Sequence, residues 1–390
     1  MGSDGGTRRH VLAAVFSGAG RELEIAEVEL AAPRAGEVEV EIAAAGVCGS
    51  DLHVVRGEWA VPMPVVLGHE GSGVVTAVGP EVARLAVGDH VVLSWVPQCG
   101  RCRQCRAARP WQCELVAGVV APRGVLFDGT SRWSRHGDPV HHYLGVSSFA
   151  ERVVVPESGA VRVRDDAPLD VVAVVGCAVA TGVGAVQNTA AVPAGATVAV
   201  IGCGGVGLSC IQGTRLAGAG RIVACDLSPD KLDLAVRLGA TDVVDARRGD
   251  VVDVLRDLGP GGLDFVFDAI GRIETTEQAI AAPPGPSAAV VVGLPPAGRT
   301  ARFDPLALAE ANQRILGSNY GSIDPQRDIP RLVDLYMESE LDLDSLITTR
   351  RPLAEAAQAL DDLSAGRAVR TLLIPTTSPI SGGGDHVHHQ

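Results

Sequence analysis

Four of the nine cysteines fall in one short segment. They are Cys99, Cys102, Cys105 and Cys113, in the pattern C-x2-C-x2-C-x7-C. Four thiolates at this spacing suit a closed tetrahedral zinc site that holds a loop together. A ferredoxin-type iron–sulfur cluster is disfavoured, because its fourth cysteine comes three residues after the third and precedes proline, whereas seven residues intervene here and Glu114 follows. The pattern predicts a structural zinc loop over 98–114, with free thiols or an iron–sulfur cluster as the alternatives.

A second set of candidate metal ligands is scattered along the chain. It consists of Cys48, His69, Glu70 and Cys177, each of which stands beside a glycine. Two thiolates and one imidazole would leave the fourth position of a zinc ion open for water or substrate, as in catalytic zinc sites. However, buried cysteines usually behave as small inert hydrophobic residues, and a lone histidine is often a satisfied polar residue. Spacing alone therefore leaves a catalytic and a structural interpretation open.

A glycine-rich turn after an apolar strand suits a dinucleotide. The residues Gly202-Cys-Gly-Gly-Val-Gly207 match the pattern G-x-G-x-x-G. Gly202 permits the tight turn, Gly204 lets the backbone approach a pyrophosphate, and Gly207 lets helix and strand pack closely. The N–H groups at the start of the helix, from Gly205 and Val206 onward, would then hold the phosphates.

The acidic residue Asp226 strengthens that interpretation. It ends the second strand of this region, about 20 residues after the turn, where a carboxylate accepts from both ribose hydroxyls. A carboxylate there repels a 2′-phosphate, so NAD is favoured over NADP. Lys231, the only lysine, follows five residues later and is within reach of the same ribose. The alternative is that Asp226 caps the next helix, for which Ser228 is the more natural residue.

Two styles of secondary structure surround these residues. From about Val11 to Val175 the chain consists of short strands separated by Gly and Pro, such as 37–43 and 73–78. From about Val183 strands and helices alternate, which predicts a doubly wound parallel sheet. The predicted strands are 197–201, 221–225, 264–267, 288–292 and 371–374, and the predicted helices are 206–217, 231–238, 329–338 and 353–364.

Composition and charge exclude several classes of protein. The 390 residues predict about two domains, and 46% hydrophobic with 20% charged residues is ordinary for a globular chain. A formal net charge of −13 disfavours nucleic acid as a partner. The chain has neither a long apolar run nor an N-terminal signal core, so we expect no membrane span and a cytoplasmic location. The Gly- and His-rich tail, 378–390, is predicted to be disordered.

The order of these motifs resembles that of zinc-dependent alcohol dehydrogenases, a family of the medium-chain dehydrogenase/reductase superfamily. The segments that carry the resemblance are Gly46–His53, Gly68–Gly71, the four-cysteine loop and Gly202–Gly207. Two further segments, Asp128–Arg132 and His141–Gly145, resemble the class that contains the vertebrate liver enzyme and thiol-dependent formaldehyde dehydrogenase. The resemblance runs from about Val11 to Pro375.

The resemblance implies an α/β fold in which a Rossmann domain is inserted in a mainly-β, GroES-like catalytic domain. The boundaries it implies are 1–178 and 322–377 for the two parts of the catalytic domain and 179–321 for the Rossmann domain. It also implies a homodimer joined through the Rossmann sheets, by the strand near Val290.

The resemblance also assigns roles at the metal. Cys48, His69 and Cys177 would hold a catalytic zinc ion, since this ligand set is the known one for alcohol dehydrogenases. With the structural site, two zinc ions per chain are expected. Asp51 would orient His69, and Glu70 would lie near the metal as a transient ligand.

The remaining roles concern the proton, the cofactor and the substrate. Ser50 and His53 resemble a proton relay, Thr181 and Val206 resemble nicotinamide contacts, and Arg370 resembles a pyrophosphate clamp. Gly49 stands where several relatives carry a basic residue, which leaves more of the pyrophosphate contact to Arg370. The residues expected to line the substrate cleft are Trp59, Trp95, Tyr143, Leu144, Leu294 and Asn319.

The implied function is reversible hydride transfer between an alcohol and NAD, which gives an aldehyde or ketone. Two alternatives keep the fold: NAD(H) that stays bound while an external acceptor is used, and oxidation of a formaldehyde–thiol adduct. Glutathione is disfavoured as that thiol, because residues 114–121 contain no Lys or Arg. A non-catalytic zinc protein on the same scaffold is the last alternative, and the complete set of candidate residues argues against it.

Overall fold

The structure, a computed structural model, describes residues 8–257, 262–283 and 285–375. The strands are β1 (Arg9–Phe16), β2 (Glu24–Leu30), β3 (Glu37–Gly46), β4 (Val65–Val66), β5 (Glu70–Val78), β6 (His90–Leu93), β7 (Trp133–Arg135), β8 (Asp138–His142), β9 (Arg152–Pro156), β10 (Ala160–Arg162), β11 (Thr197–Ile201), β12 (Arg221–Asp226), β13 (Asp242–Asp245), β14 (Phe265–Asp268), β15 (Ala288–Val291), β16 (Arg314–Gly317), β17 (Ile347–Pro352) and β18 (Arg370–Ile374).

The α-helices are α1 (Gly49–Val55), α2 (Arg103–Arg106), α3 (Ala121–Arg123), α4 (Leu169–Val172), α5 (Ala178–Gly184), α6 (Gly205–Leu216), α7 (Pro229–Arg237), α8 (Val251–Arg256), α9 (Ile273–Ala281), α10 (Pro305–Glu310), α11 (Pro325–Met337) and α12 (Ala356–Ser364). The predicted disordered tail, 378–390, lies outside the described residues.

Five strands of the N-terminal half close into a small barrel, in the order β1-β2-β7-β8-β4. Residues of β2 alternate between more exposed and buried positions, because successive side chains of a strand point to opposite faces. Phe16 and Trp133 are fully buried in this core. The chain leaves the barrel at β4 and enters the next sheet at β5, so Gly68 and His69 lie at the junction.

A second sheet of seven strands carries the metal-ligating segments. Its order is β10-β6-β5-β3-β18-β17, with β9 also paired to β3. Strand β18 comes from the C-terminal segment and lies antiparallel to β3, with Leu372 opposite Gly46. The C-terminal segment therefore completes the sheet of the N-terminal part. This pairing also brings Arg370, at the start of β18, next to the segment that carries Cys48.

The third sheet has six strands, all parallel, in the order β13-β12-β11-β14-β15-β16. The direction of the strand order changes between β11 and β14, so a crevice opens beyond their carboxyl ends. The glycine-rich turn follows β11 and therefore lies at this crevice. The predicted α/β fold, a Rossmann sheet inserted in a mainly-β domain, is confirmed.

Two elements begin earlier than the sequence predicts. Helix α11 starts at Pro325 rather than at 329, because Asp324 caps it by accepting from the N–H of Gln326 at 3.2 Å. Strand β5 starts at Glu70 rather than at 73, because its pairing with β3 continues to that end. This part of β5 was not predicted from the sequence because it contains Gly71 and Gly73, and glycine is depleted in strands.

The strand at Val290 does not lie at an edge of the parallel sheet. Val290 belongs to β15, which is paired to β14 on one side and β16 on the other. Its backbone hydrogen bonds are therefore used within the sheet, so this strand is not available to extend the sheet into that of a second copy. The edge strands of this sheet are β13 and β16.

Within the described ranges, no single helix has the length and apolar character needed to cross a membrane. One bent pair of helical segments, Leu169–Gly176 and Ala178–Thr189, reaches that length and character only when the two are joined. Most residues of this pair are buried in the interior.

Candidate active site and metal centres

Three side chains from separate segments meet at the floor of a cleft. Cys48 immediately precedes α1, His69 precedes β5, and Cys177 precedes α5. All three are buried, and their ligand atoms lie within 4.8 Å of one another. The Nε2 atom of His69 is buried without a hydrogen-bond partner, which is unusual for a buried polar atom. Two sulfurs and this free nitrogen fit a zinc ion with one open position.

Asp51 supports the ligands from behind. Its carboxylate accepts from the N–H of Cys48 at 3.1 Å and of Gly68 at 3.2 Å, and it lies 3.3 Å from Nδ1 of His69. A carboxylate has no hydrogen to donate, so Nδ1 carries the proton and Nε2 is left for a metal. Without a metal, burial by itself lowers the pKa of His69, but the charges of Asp51 and Cys48 outweigh it and raise that pKa to about 10. A metal ion that binds Nε2 therefore displaces a proton from it.

The two thiols of this group differ in their readiness to ionise. A hydrogen bond from Cys177 holds the pKa of Cys48 well below its usual range, with a further contribution from the charge of Arg370. The same hydrogen bond, together with burial, raises the pKa of Cys177. Cys48 is therefore the thiol that ionises more readily, and binding of a cation by the two sulfurs releases the protons that they still hold.

Glu70 and Arg370 form a buried pair beside this group. Oε2 of Glu70 accepts from the N–H of Ala178 at 3.0 Å, and Nε of Arg370 lies 3.6 Å from Oε1. Burial raises the pKa of Glu70 to about 7, although the charge of Arg370 opposes this. Arg370 also donates through Nη1 to the carbonyl oxygen of Val47 at 2.8 Å. The carboxylate is thus adjacent to the ligand group but not part of it.

The four-cysteine segment folds into a closed loop whose sulfurs lie within 4.8 Å of one another. Sγ of Cys99 and Sγ of Cys105 are 4.0 Å apart, near the roughly 3.8 Å expected for two sulfurs about 2.3 Å from one tetrahedral zinc. The N–H groups of Cys105 and Cys99 donate to Cys102 Sγ and Cys113 Sγ, each at 3.4 Å. The predicted structural zinc site is confirmed, and all nine cysteines, which lie in the described ranges, are free thiols.

The glycine-rich turn has the shape that a pyrophosphate requires. Gly202 has a φ of +99°, which favours glycine, and a Cβ on Gly207 would overlap the carbonyl oxygen of Gly202. A Cβ added to Gly204 would have no atom within 4 Å. A Cβ added to Gly205 would lie 2.7 Å from Nε of Arg370. A guanidinium group therefore stands at the start of α6, where the helix dipole also favours an anion.

Asp226 connects this turn to α7. Its Oδ2 accepts from the N–H of Cys203 at 2.7 Å, and its Oδ1 accepts from the N–H of Ser228 at 2.9 Å. Ser228 is the N-cap residue of α7, but its side chain makes no capping hydrogen bond. Each carboxylate oxygen of Asp226 keeps a further lone pair, which is available to a ribose hydroxyl.

A cleft of about 250 Å³ joins the metal ligands to the glycine-rich turn. The predicted site residues that line it are Cys48, Ser50, His53, Trp59, Trp95, Cys177, Thr181, Gly204, Gly205, Val206, Lys231, Leu294, Asn319 and Arg370. Asp226 lines a neighbouring pocket. Most of the residues singled out from the sequence therefore share one continuous surface.

Tyr143 and Leu144 are not among the residues that line this cleft. Tyr143 is buried, donates through its hydroxyl to the carbonyl oxygen of Ser50 at 3.0 Å, and meets the His69 ring edge-on with centroids 5.6 Å apart. Leu144 packs against the core of the barrel. Tyr143 therefore supports the floor of the site, and neither residue forms part of the open surface of the cleft.

Tyr320, Glu58 and Arg272 are among the residues at the site that sequence reasoning did not single out. Tyr320 is buried under Trp95, with ring centroids 4.4 Å apart, and its hydroxyl donates to the carbonyl oxygen of Gly176 at 2.6 Å. Arg272 lines the same pocket as Asp226. Arg272 could have been predicted, because it follows β14 at the carboxyl end of a parallel strand, where ligands bind. No local sequence pattern indicated a role for Tyr320.

Comparisons with known proteins agree with this geometry. Residues 34–165 match the family described as alcohol dehydrogenase GroES-like domain, and residues 205–338 match the family described as zinc-binding dehydrogenase. An alcohol dehydrogenase zinc-binding domain protein from Burkholderia ambifaria is 38% identical with a TM-score of 0.90, over 94% of this chain and 99% of that one.

Two further solved structures are similar along their whole length. Benzyl alcohol dehydrogenase from Acinetobacter calcoaceticus is 34% identical with a TM-score of 0.89, over 94% of this chain and 100% of that one. A zinc-binding dehydrogenase from Sinorhizobium meliloti, bound to NADP, is 29% identical with a TM-score of 0.77, over 94% of this chain and 100% of that one.

The chain belongs to the zinc-dependent alcohol dehydrogenases of the medium-chain dehydrogenase/reductase superfamily. The family resemblance seen in the sequence is confirmed. The reaction is accordingly hydride transfer between an alcohol and a nicotinamide dinucleotide, at a Cys-His-Cys metal site that is separate from the four-cysteine structural site.

Proposed function

We propose that this enzyme oxidises primary alcohols whose carbinol carbon carries an aromatic ring, with NAD as the hydride acceptor. The observation that carries the proposal is that Trp59 and Trp95 line the same cleft as Cys48 and Cys177. Tyr320 packs against Trp95. Offset or edge-on contacts between aromatic rings add to the energy of apolar burial, so a cleft of this kind favours an aryl over an alkyl alcohol. The similarity to a benzyl alcohol dehydrogenase supports the same substrate class.

The roles of the site residues follow from their positions. Zinc, when held by Cys48, His69 and Cys177, supplies Lewis-acid stabilisation of an alkoxide. Ser50 takes the hydroxyl proton of the alcohol, and His53 passes it toward solvent. Asp51 keeps His69 in the tautomer that leaves Nε2 for the metal. Glu70 lies beside the metal ligands and serves as a transient ligand.

The cofactor roles rest on the turn and its neighbours. Arg370 and the N–H groups of Gly204 to Gly207 hold the pyrophosphate, and Thr181 and Val206 contact the nicotinamide. Asp226 accepts from the ribose hydroxyls, with Lys231 beside the same ribose. Because a carboxylate repels a 2′-phosphate, Asp226 favours NAD over NADP.

The assembly and location are proposed on separate grounds. For the domains we propose the division into 1–178, 179–321 and 322–377. In its favour, strands β11 to β16 form the parallel sheet, whereas β17 and β18 join the sheet of the N-terminal part. We propose a homodimer in which β16, an edge strand with unpaired backbone groups, pairs with its copy. A chain that keeps nine free thiols suits a reducing compartment such as the cytoplasm.

Oxidation of a formaldehyde–thiol adduct has less support. The segments that suggested this class, Asp128–Arg132 and His141–Gly145, make structural contacts within the barrel and between the barrel and the second sheet. Arg132 is fully buried and pairs with Glu37 and Asp128, and its N–H donates to Nε2 of His142 at 3.2 Å. These contacts give the residues a role in the stability of the fold, so a role in substrate binding is not needed to explain their presence.

The test is a comparison of alcohols by steady-state kinetics, with reduced nicotinamide followed by absorbance. We expect kcat/KM for benzyl alcohol to exceed that for ethanol by at least about tenfold with NAD, or roughly 1.4 kcal/mol of transition-state binding. Trp59→Ala should reduce this ratio, whereas Trp111→Ala, which alters a tryptophan outside the cleft lining, should not. Equal values for the two alcohols would contradict the proposed substrate class.

A further inference from the structure

An acidic residue is held against the histidine of the relay. His53 lies near the end of α1, and the chain reverses immediately after it, with Gly57 at a φ of +69°. The N–H of Glu58 then donates back to the carbonyl oxygen of His53 at 2.8 Å. This reversal places the carboxylate of Glu58 in hydrogen-bond contact with Nδ1 of His53. The geometry comes from the backbone turn and not from a chance meeting of two long side chains.

The imidazole of His53 is also fixed on its face. The Trp59 ring stacks on it with centroids 4.4 Å apart and an interplanar angle of 18°. One ring nitrogen is thus bound by Glu58, one face is covered by Trp59, and His53 still lines the cleft. Since a carboxylate only accepts, Nδ1 carries a hydrogen and Nε2 is left as the proton acceptor.

The same turn is joined to the loop after β15, across the cleft. Nε1 of Trp59 donates to the carbonyl oxygen of Pro295 at 3.2 Å, and the N–H of Ala297 donates to the carbonyl oxygen of Glu58 at 3.4 Å. Leu294, next to Pro295, lines the cleft. Two hydrogen bonds therefore anchor the turn to this loop, which fixes the position of His53 relative to the opposite wall of the cleft.

We infer that Glu58 is a positioning residue for proton release, acting through His53; the inference rests on the proposed relay. A proton that leaves the alcohol by way of Ser50 adds to Nε2 of His53, while the Nδ1 hydrogen stays on the ring and the Glu58 carboxylate balances the resulting imidazolium. The proton then departs from Nε2 to solvent. The arrangement uses the same physics as a buried carboxylate that fixes the tautomer of a catalytic histidine.

The test is a double-mutant cycle of Glu58→Gln and His53→Gln in the zinc-loaded enzyme, with Glu338→Gln as a control at an exposed position. We expect Glu58→Gln to lower kcat for alcohol oxidation about tenfold, in the range found for such outer partners, with KM nearly unchanged. In the His53→Gln background the same change should cost nothing further. Zinc content and thermal midpoint, measured on every variant, show that each is folded.

The outcomes separate this inference from the relay on which it rests. A large loss in His53→Gln with no loss in Glu58→Gln overturns the role of Glu58 alone. Equal losses from Glu58→Gln in both backgrounds overturn it too, because Glu58 would then act independently of His53. No loss in His53→Gln overturns the relay itself. Restoration of kcat by Glu58→Asp relative to Glu58→Gln supports the role of the carboxylate.

Discussion

The two metal centres of this enzyme are built in opposite ways. The Cys48, His69 and Cys177 centre is buried, takes its ligands from distant parts of the chain and is surrounded by charged side chains. The four-cysteine loop is partly exposed, takes all its ligands from 15 consecutive residues and is supported by backbone N–H groups. The first opens on a cleft, and the second closes on itself. Chemistry thus requires long-range assembly and nearby charge, whereas a structural zinc loop needs only local spacing.

The comparison is tested most strongly by removing a ligand of the buried centre. Cys48→Ala should lower kcat about a thousandfold or more, because several kcal/mol of charge stabilisation depend on the metal. Zinc analysis should show one ion per chain instead of two. Cys210→Ala, which removes a buried thiol that belongs to neither centre, should keep both ions and normal turnover. A Cys48→Ala enzyme with near-normal kcat would contradict the catalytic role of the buried centre.

Removing a ligand of the loop should act on stability instead. Cys105→Ser should lower the free energy of unfolding by about 3 kcal/mol, the scale expected for opening a closed loop of this length. Turnover per folded molecule should stay close to normal when measured well below the thermal midpoint. Arg101→Gln, at an exposed position in the same loop, serves as the control in thermal unfolding. Loss of turnover without loss of stability would contradict a purely structural role.

A substitution of Asp226 tests how the enzyme distinguishes NAD from NADP. Asp226→Asn should shift the NADP to NAD ratio of kcat/KM toward NADP by about thirtyfold, or roughly 2 kcal/mol, since it removes the repulsion of a 2′-phosphate. Asp230→Asn, an exposed change in the first turn of α7, should leave the ratio unchanged. If the two variants behave alike, Asp226 acts on the turn and not on the ribose.

Asp128 carries a charge that belongs to neither metal centre. Burial by itself raises its pKa, but the hydrogen bond from Arg132 outweighs burial and lowers the pKa from 3.8 to about 2. A depressed folded-state pKa means that the stabilisation is full above about pH 4 and is lost as the pH falls through about 2. Asp128→Asn should therefore cost about 1 kcal/mol at pH 7, since the carboxylate is partly exposed.

That difference between Asp128→Asn and the unchanged enzyme should shrink as the pH is lowered toward 2. Denaturant unfolding at several pH values measures it, with Asp138→Asn, at an exposed position of the barrel, as the control. A difference that does not change with pH would show that the Asp128 charge contributes nothing to stability.

The sequence predicted most accurately what depends on short spacing. The four-cysteine loop and the glycine-rich turn are contiguous, so residue types and intervals sufficed. The ligands Cys48, His69 and Cys177 are separated by more than a hundred residues at the extremes, and only family resemblance joined them. Tyr320 and the position of Tyr143 depend on packing between distant segments, which no local pattern reports. Glu58 was overlooked because its role depends on a chain reversal at a glycine.

The central claim is that the buried centre holds zinc with one side open to the cleft. Anomalous diffraction at the zinc absorption edge, on crystals of the intact enzyme, tests it directly. The account predicts two peaks per chain, one among the four cysteines of the loop and one bound by Cys48, His69 and Cys177 with its fourth side facing the cleft. A missing peak at the second position, or a fourth protein ligand that closes it, would contradict the account.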